Sequence, residues 1–367
     1  MNSVFTRQRI VGLAAIAITG SVLLSACAAN EGTSTSTTGS GSLSGTISGI
    51  GSSAQGAAEK QWQADFQTAN SGVTVNYDPQ GSGAGRKAFI AGSADFAGSD
   101  AALKDEELAG TFAACAADSK AIDLPVYISP IAIAYNVSGL TDLKLDAATI
   151  AGIFKGAITT WNDPAIAALN SGVTLPSDKI AVVHRSDDSG TTQNFAEYLK
   201  ANAASVWDKD VSQTFPYTVG DAAKGTAGVA DALSSTPNSI AYIDDSGVPS
   251  GAGKAQLQVG SAFSTISADG AADVVAKSPL VSGRAANDLA IAIDRTNTDS
   301  NAWPLVLVSY LITCQTYKDS AQGALVKAYA GFVASSDEQT KAATAAKSAP
   351  LASDLAAKVA ASIATIK

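Results

Sequence analysis

Histidine occurs once in these 367 residues and cysteine three times, too few soft ligands for a zinc or iron–sulfur centre. Charged residues are also scarce, at 16%, and they lean acidic: 33 Asp plus Glu against 24 Lys plus Arg, a formal charge of −9. That balance excludes nucleic acid and a polybasic membrane patch as the main partner. No apolar run reaches the roughly 20 residues of a permanent membrane span. No repeat of about 20 to 50 residues is visible, and no flexible linker separates two halves. Hydrophobic residues, at 46%, are plentiful, so the chain can bury a sizeable core and is not wholly disordered. Its length suits two core-forming units better than one. An acidic chain repels anions at long range, so an anionic ligand would have to be held by local chemistry.

The first residues set the expected compartment. Arg7 and Arg9 form a basic start, residues 10–24 are apolar or small, and the run ends in Leu24-Ser25-Ala26-Cys27. That ending resembles the bacterial lipobox, in which the cysteine receives diacylglycerol and the chain is cleaved before it; an ordinary signal peptide is the alternative. The expectation is a lipoprotein signal over 1–26, lipidation at Cys27, and a small, polar tether over 27–45. Removing residues 1–26 deletes two arginines and no acid, leaving 341 residues, 22 basic and 33 acidic side chains, and a charge of −11. The expected location is the extracytoplasmic face of the cell membrane. Export permits a disulfide between Cys115 and Cys314, with two separate buried thiols as the alternative.

From residue 46 onward, short β-branched runs alternate with helical patterns. Residues 72–77 and 180–184 read as strands; Ala54, Ala58, Trp62 and Phe66 mark one face of a helix, and 191–200 is a second. Residues 143–170 contain a helical stretch with a turn around Trp161, which reads as a core or lobe-surface residue rather than a substrate platform. The Ala-rich end, 320–366, reads as two helical stretches. The class is α/β, with helices on both faces of a sheet.

Four clusters of Gly, Ser and Thr stand at expected strand-to-helix junctions: 49–53, 80–85, 95–100 and 185–192. Helix N-termini carry unpaired N–H groups and partial positive charge, and glycine lets backbone approach an oxygen closely. Each cluster alone is also an ordinary helix cap. The glycines near 81 are not a phosphate-binding P-loop, since no Lys-Ser or Lys-Thr follows at the required spacing, and they are one residue short of a dinucleotide fingerprint.

Taken together, GIGSSAQ at 49–55, GSGAG at 81–85, ADFAGSD at 94–100, PVYISPIAIAYN at 125–136, IFKGAITTWNDPAIAALN at 153–170 and HRSDDSGTTQNF at 184–195 resemble the phosphate-binding proteins that serve bacterial high-affinity phosphate ABC importers. KGTAGV at 224–229, SIAYID at 239–244 and WPLVLVSYLI at 303–312 extend the resemblance over nearly the whole body. It implies a two-lobed, periplasmic-binding-protein-like (venus flytrap) fold with the ligand cleft between lobes. The first lobe would hold 46–126 and 296–367, and the second 127–295. It implies inorganic phosphate as ligand, an ABC permease as partner, a monomer, and no cofactor, metal or catalytic residue.

Carried across position by position, the family's site implies phosphate contacts from Ser53 through hydroxyl and N–H, and from Ala54 through its N–H. Ser82, Arg185, Ser189, Gly190 and Thr191 are further ligands, and Asp187 pairs with Arg185. Asp100 would accept the proton of bound phosphate. The family has threonine at the place of Ser53 and phenylalanine at that of Ala54. An ionised carboxylate only accepts hydrogen bonds, so at Asp100 it suits protonated phosphate and repels sulfate. Competing readings are a binder of another tetrahedral oxyanion (sulfate, molybdate or tungstate) and a phosphatase-like enzyme. The enzyme reading lacks support, because His184 has no nucleophile and orienting partner around it in sequence; its ring is expected to pack at the lobe surface.

Overall fold

The computed structural model describes residues 43–367. The expected signal, Cys27 and nearly all of the tether lie outside them. The first lobe opens with β1 (Gly45–Gly51), α1 (Gly56–Ala69), β2 (Val73–Asp78), α2 (Ser82–Ile90), β3 (Phe96–Ser99) and the short α3 (Asp105–Ala109). Strands β1 and β2 are parallel neighbours, as are β1 and β3. Ala58, Trp62 and Phe66, spaced four apart, form the buried face of α1.

A single long strand, β4 (Ala121–Asn136), then crosses out of this lobe. Every residue from Ala121 to Tyr135 is buried, which is the pattern of a strand covered on both faces rather than of an alternating edge. The second lobe follows as β5 (Lys144–Leu145), α4 (Ala147–Lys155), α5 (Pro164–Leu169), β6 (Ala181–Arg185), α6 (Gly190–Asn202), β7 (Asp221–Ala223), α7 (Gly225–Ser235) and β8 (Ser239–Asp244). After β9 (Gly253–Lys254), β10 (Gln256–Val259), β11 (Ala262–Ser264) and α8 (Ala268–Lys277), strand β12 (Val306–Cys314) returns. Helices α9 (Ser320–Val333), α10 (Ser336–Ala346) and α11 (Ser353–Ala364) close the chain.

The main sheet runs β2-β1-β3-β12-β4-β8-β6-β7, and a small sheet runs β11-β10-β5. Strand β4 belongs to both halves of the main sheet. It pairs antiparallel with β12 over Ala121–Pro130 and with β8 over Ile131–Asn136. Two prolines, Pro125 and Pro130, sit opposite Tyr310 and Val306 in that crossing ribbon and withhold ladder donors there. The register shifts between Ser309 and Tyr310. This curled, shared sheet makes the two-lobed α/β fold.

The final segment holds three helices where the Ala-rich pattern predicts two. Lys347 takes a left-handed conformation that ends α10, Ala349 bridges to Ile128 on β4, and Pro350 bars continuation. Helix α10 packs on α1, where Trp62 Nε1 donates to the Glu338 carbonyl at 3.2 Å, and Phe66 meets Tyr329 and Phe332 of α9 edge-on at 5.2 Å. Cys115 and Cys314 form a disulfide with Cα atoms 5.3 Å apart. Among the described residues no helix is long and apolar enough to cross a membrane.

Candidate functional site

Ends of strands and starts of helices from both lobes meet around one buried carboxylate, Asp100, which follows β3 and is 4% exposed. Its backbone N–H donates to Ser82 Oγ, at the first turn of α2, at 3.0 Å. Ser52, in the loop leaving β1, donates its hydroxyl to Asp100 Oδ1 in a short hydrogen bond. From the second lobe, Thr191 donates to Asp100 Oδ2 at 3.2 Å, and Asn194 Nδ2 donates to the Asp100 carbonyl at 2.7 Å.

Helix α6 begins at this point because Ser189 caps it, accepting from the Thr192 N–H at 3.1 Å. The next residue must be small: a Cβ on Gly190 would lie 2.6 Å from both Ser82 Oγ and Asp100 Cβ. Thus the N-termini of α2 and α6, one from each lobe, face one another at Asp100. Both ends bring partial positive charge and backbone donors.

The cation of the site is Arg185, at the end of β6 and 4% exposed. Its guanidinium grips Asp187 bidentately, Nε to Oδ1 at 2.8 Å and Nη2 to Oδ2 at 2.6 Å, while Nη1 reaches Thr191 Oγ1 at 3.4 Å. Asp187 Oδ1 also accepts the Gly225 N–H at 3.1 Å. Burial pushes the Asp187 carboxyl up, but the hydrogen bonds and charge of Arg185 outweigh it and hold the group below the ordinary carboxylate range. Gly81 lies against this pair, in a left-handed conformation and so close that a Cβ would meet Asp187 Oδ2 at 2.3 Å.

Asp100 shifts the other way. Loss of water raises its proton affinity, and the hydroxyls of Ser52 and Thr191 with the charge of Arg185 offset this only in part. Two further carboxylates are buried near it. Glu59, in the first turn of α1, is pushed up to about 7 by burial, with Tyr329 and Gln63 opposing. Asp244, at the end of β8, is likewise raised to about 7 by burial, against hydrogen bonds from Ser246 and Ser129.

Of the residues singled out from sequence, the structure brings Ser82, Asp100, Arg185, Asp187, Ser189, Gly190 and Thr191 together. Ser53 and Ala54 lie at the edge of this group. Ser53 Oγ accepts from the Thr226 N–H at 3.0 Å and sits 3.1 Å from the Thr226 hydroxyl, across the seam between lobes. Ala54 is buried beside it. The hydroxyl nearest Asp100 on that loop belongs instead to Ser52. Ser52, Gln55, Glu59, Thr226 and Ser309 were not readable as site residues. Ser52, Gln55, Thr226 and Ser309 all lie inside segments that carry the family resemblance, but none has a ligand role implied by it, and Ser309 sits in an otherwise apolar strand. His184 stacks its ring on Phe215 at 4.0 Å, and Trp161 is fully buried with Nε1 donating to the Asn238 carbonyl at 3.2 Å.

Hydroxyls, backbone N–H groups, one oriented guanidinium and one acceptor-only carboxylate can together hold a small oxyanion that carries a proton. No cluster of His, Cys, Asp and Glu suited to a metal ion occurs among the described residues.

Comparison with known proteins agrees with this architecture. A model of the PBP superfamily domain matches residues 36–338. The phosphate-binding protein PstS 3 of Mycobacterium leprae (strain TN) is 37% identical over 322 residues, covering 84% of this chain and 86% of its own length. Among solved structures, a high-affinity periplasmic phosphate-binding protein, PfluDING, bound with phosphate, superimposes with a TM-score of 0.69 at 23% identity, over 86% of this chain and 93% of its own. A phosphate-binding protein from Stenotrophomonas maltophilia does so with a TM-score of 0.65 at 20% identity, over 87% and 94%.

Proposed function

This chain belongs to the PBP superfamily, among its phosphate-binding proteins, and on that premise we propose that it captures inorganic phosphate between its lobes and delivers it to an ABC import permease. The observation that carries the reading is the buried pair of opposites at the lobe seam: Asp100 as acceptor and Arg185 as oriented donor, 4% exposed each. Arg185 is already half neutralised by Asp187, so the N–H and hydroxyl donors of Ser82, Ser189, Gly190 and Thr191 share the load of an incoming anion, with Ser53 and Ala54 on the adjoining wall.

Selectivity follows from proton bookkeeping. Phosphate near neutral pH keeps at least one O–H, which Asp100 accepts. Sulfate has none and would leave a buried carboxylate facing another acceptor, at a cost of about 1–3 kcal/mol or more for a charged group. Each 1.4 kcal/mol is about tenfold in affinity. Capture then proceeds by closure. The lobes pivot on β4 and β12, the anion is shielded from water, and the closed shape is what a permease recognises. Lipidation at Cys27 and a polar tether would hold this body at the outer face of the cell membrane, which is the natural place for such a handover.

Calorimetric titration of the purified protein tests the binding step. Heat of binding with phosphate and none with sulfate is the expected result. Equal binding of both anions overturns the role of Asp100. Steady release of phosphate from a phosphomonoester would replace the transport reading with an enzymatic one.

A further inference from the structure

Behind Asp100 a line of hydrogen bonds runs into the first lobe and ends on a carboxylate set back from the seam. The Ser309 hydroxyl, on β12, lies against Asp100 and donates to Gln55 Oε1 at 2.8 Å. Gln55 Nε2 donates to Glu59 Oε1 at 3.0 Å, and the Tyr329 hydroxyl, on α9, donates to Glu59 Oε2 at 2.7 Å. Ser309, Gln55 and Glu59 are all fully buried. A solvent-inaccessible carboxylate with two donors but no arginine or lysine bonded to it is costly, and the anion chemistry above makes no use of it.

Such a line has a direction, because an amide has one accepting and one donating end and a hydroxyl has one proton. With Glu59 ionised, both its oxygens accept. Gln55 turns its NH2 toward Glu59 and its carbonyl toward Ser309, and the Ser309 proton points away from Asp100. With a proton from solvent on Glu59, the carboxyl O–H donates to the Gln55 carbonyl and the amide reverses. Its NH2 then donates to Ser309 Oγ, and the Ser309 proton turns onto Asp100. Asp100 then has three hydroxyls, from Ser52, Thr191 and Ser309, competing for the oxygens that would accept from a ligand.

We propose that Glu59, acting through Gln55 and Ser309, sets the acceptor capacity that Asp100 keeps for the proton of the bound anion, and so is a positioning residue for anion selectivity. This rests on the phosphate reading of the site. The groups facing Glu59 are Tyr329 of α9, Tyr77 of β2, and Gln55 and Gln63 of its own segment. Those facing Asp100 are Ser52, Ser309, Thr191, Arg185, Tyr77 and Asp244. Burial holds the Glu59 carboxyl at about 7, so the two directions exchange near neutral pH.

The experiment measures phosphate affinity of the whole protein and of Glu59→Gln by calorimetry at about pH 8.5 and about pH 5.5, where Glu59 is mostly ionised and mostly protonated respectively. Tyr329 goes on donating to the carbonyl of the introduced amide, whose NH2 therefore faces the Gln55 carbonyl at every pH and fixes the reversed direction. The variant should bind phosphate roughly tenfold more weakly at the high pH and nearly equally at the low one. The ligand's own ionisation is common to both proteins and cancels in that ratio. In a Ser309→Ala background, which cuts the line, Glu59→Gln should have no effect at either pH. A simply damaged fold would instead lower affinity at both pH values and in both backgrounds; thermal melts at each pH accompany the titrations. An unchanged Glu59→Gln in a phosphate-binding wild type, or an effect that survives Ser309→Ala, overturns the proposal. A wild type that binds no phosphate at all overturns the functional reading itself.

Discussion

Thr191 of the second lobe donates its hydroxyl to Asp100 Oδ2 of the first at 3.2 Å, so the acceptor of the site is held from both sides of the seam. Ser52 holds the other oxygen from within the first lobe. Asp100 is therefore a fastening between lobes, and under the proposed function changes to it should act on selectivity and on closure together.

Replacing Asp100 with Asn keeps its size but substitutes an amide that can donate to an oxyanion. Phosphate affinity should fall about 5- to 150-fold while sulfate binding appears, because the lost acceptor is worth about 1–3 kcal/mol and the repulsion of sulfate is gone. Parallel calorimetric titrations with the two anions measure the ratio directly.

Asp187→Asn removes one half of a buried bidentate pair and leaves Arg185 with its full charge. Breaking such a pair from one side costs about 3–5 kcal/mol at full burial, and less here because Asp187 retains some exposure. The variant should melt at lower temperature, and its phosphate binding should become more sensitive to added salt. Titrations at low and high ionic strength check the second point.

Asp244 carries a stability term with a definite sign. Burial raises its carboxyl from 3.8 to about 7, so between those values the folded protein holds a proton that the unfolded chain has released. The stabilisation from this group is complete below about pH 4 and is lost as pH rises through about 7. Asp244→Asn, which keeps a neutral group in place, should match the wild type near pH 4 and exceed it by a few kcal/mol near pH 8. Thermal melts at the two pH values decide it.

Removing the disulfide with Cys115→Ala and Cys314→Ala should cost about 2–5 kcal/mol, since it closes a loop with a sequence separation of 199. Phosphate affinity should not change, because neither cysteine belongs to the group around Asp100. Denaturant titration and calorimetry on the same sample separate the two effects.

Local periodicity made much of the framework legible. The spacing of Ala58, Trp62 and Phe66 matches the buried face of α1, and the β-branched runs near 73 and 181 match β2 and β6. The four small-residue clusters do stand at strand or helix ends. What stayed hidden depends on distant partners. The strand β4 spans both lobes, which no local pattern states, and Ser309 meets Gln55 across 254 residues of sequence. Glu59 reads as one more exposed helix charge until α9 and Tyr329 cover it. The break between α10 and α11 needed Pro350 to be weighed against an otherwise continuous alanine pattern.

The shared strands also fix an order of assembly. Everything from β5 to α8 is an insertion whose two exits, β4 and β12, pair side by side, while α9, α10 and α11 pack back toward α1, β1 and β4. The second lobe can gather its contacts as soon as it is made. The first lobe cannot complete its sheet until β12 arrives, nor its helical layer until the last residues do. Contacts of such long sequence separation form slowly and leave apolar strand edges open meanwhile. A chain truncated before α9 should therefore hold a folded second lobe on an unfinished first one. For the same reason, the oxidation that links Cys115 to Cys314 can lock the native pairing only after nearly the whole chain has emerged.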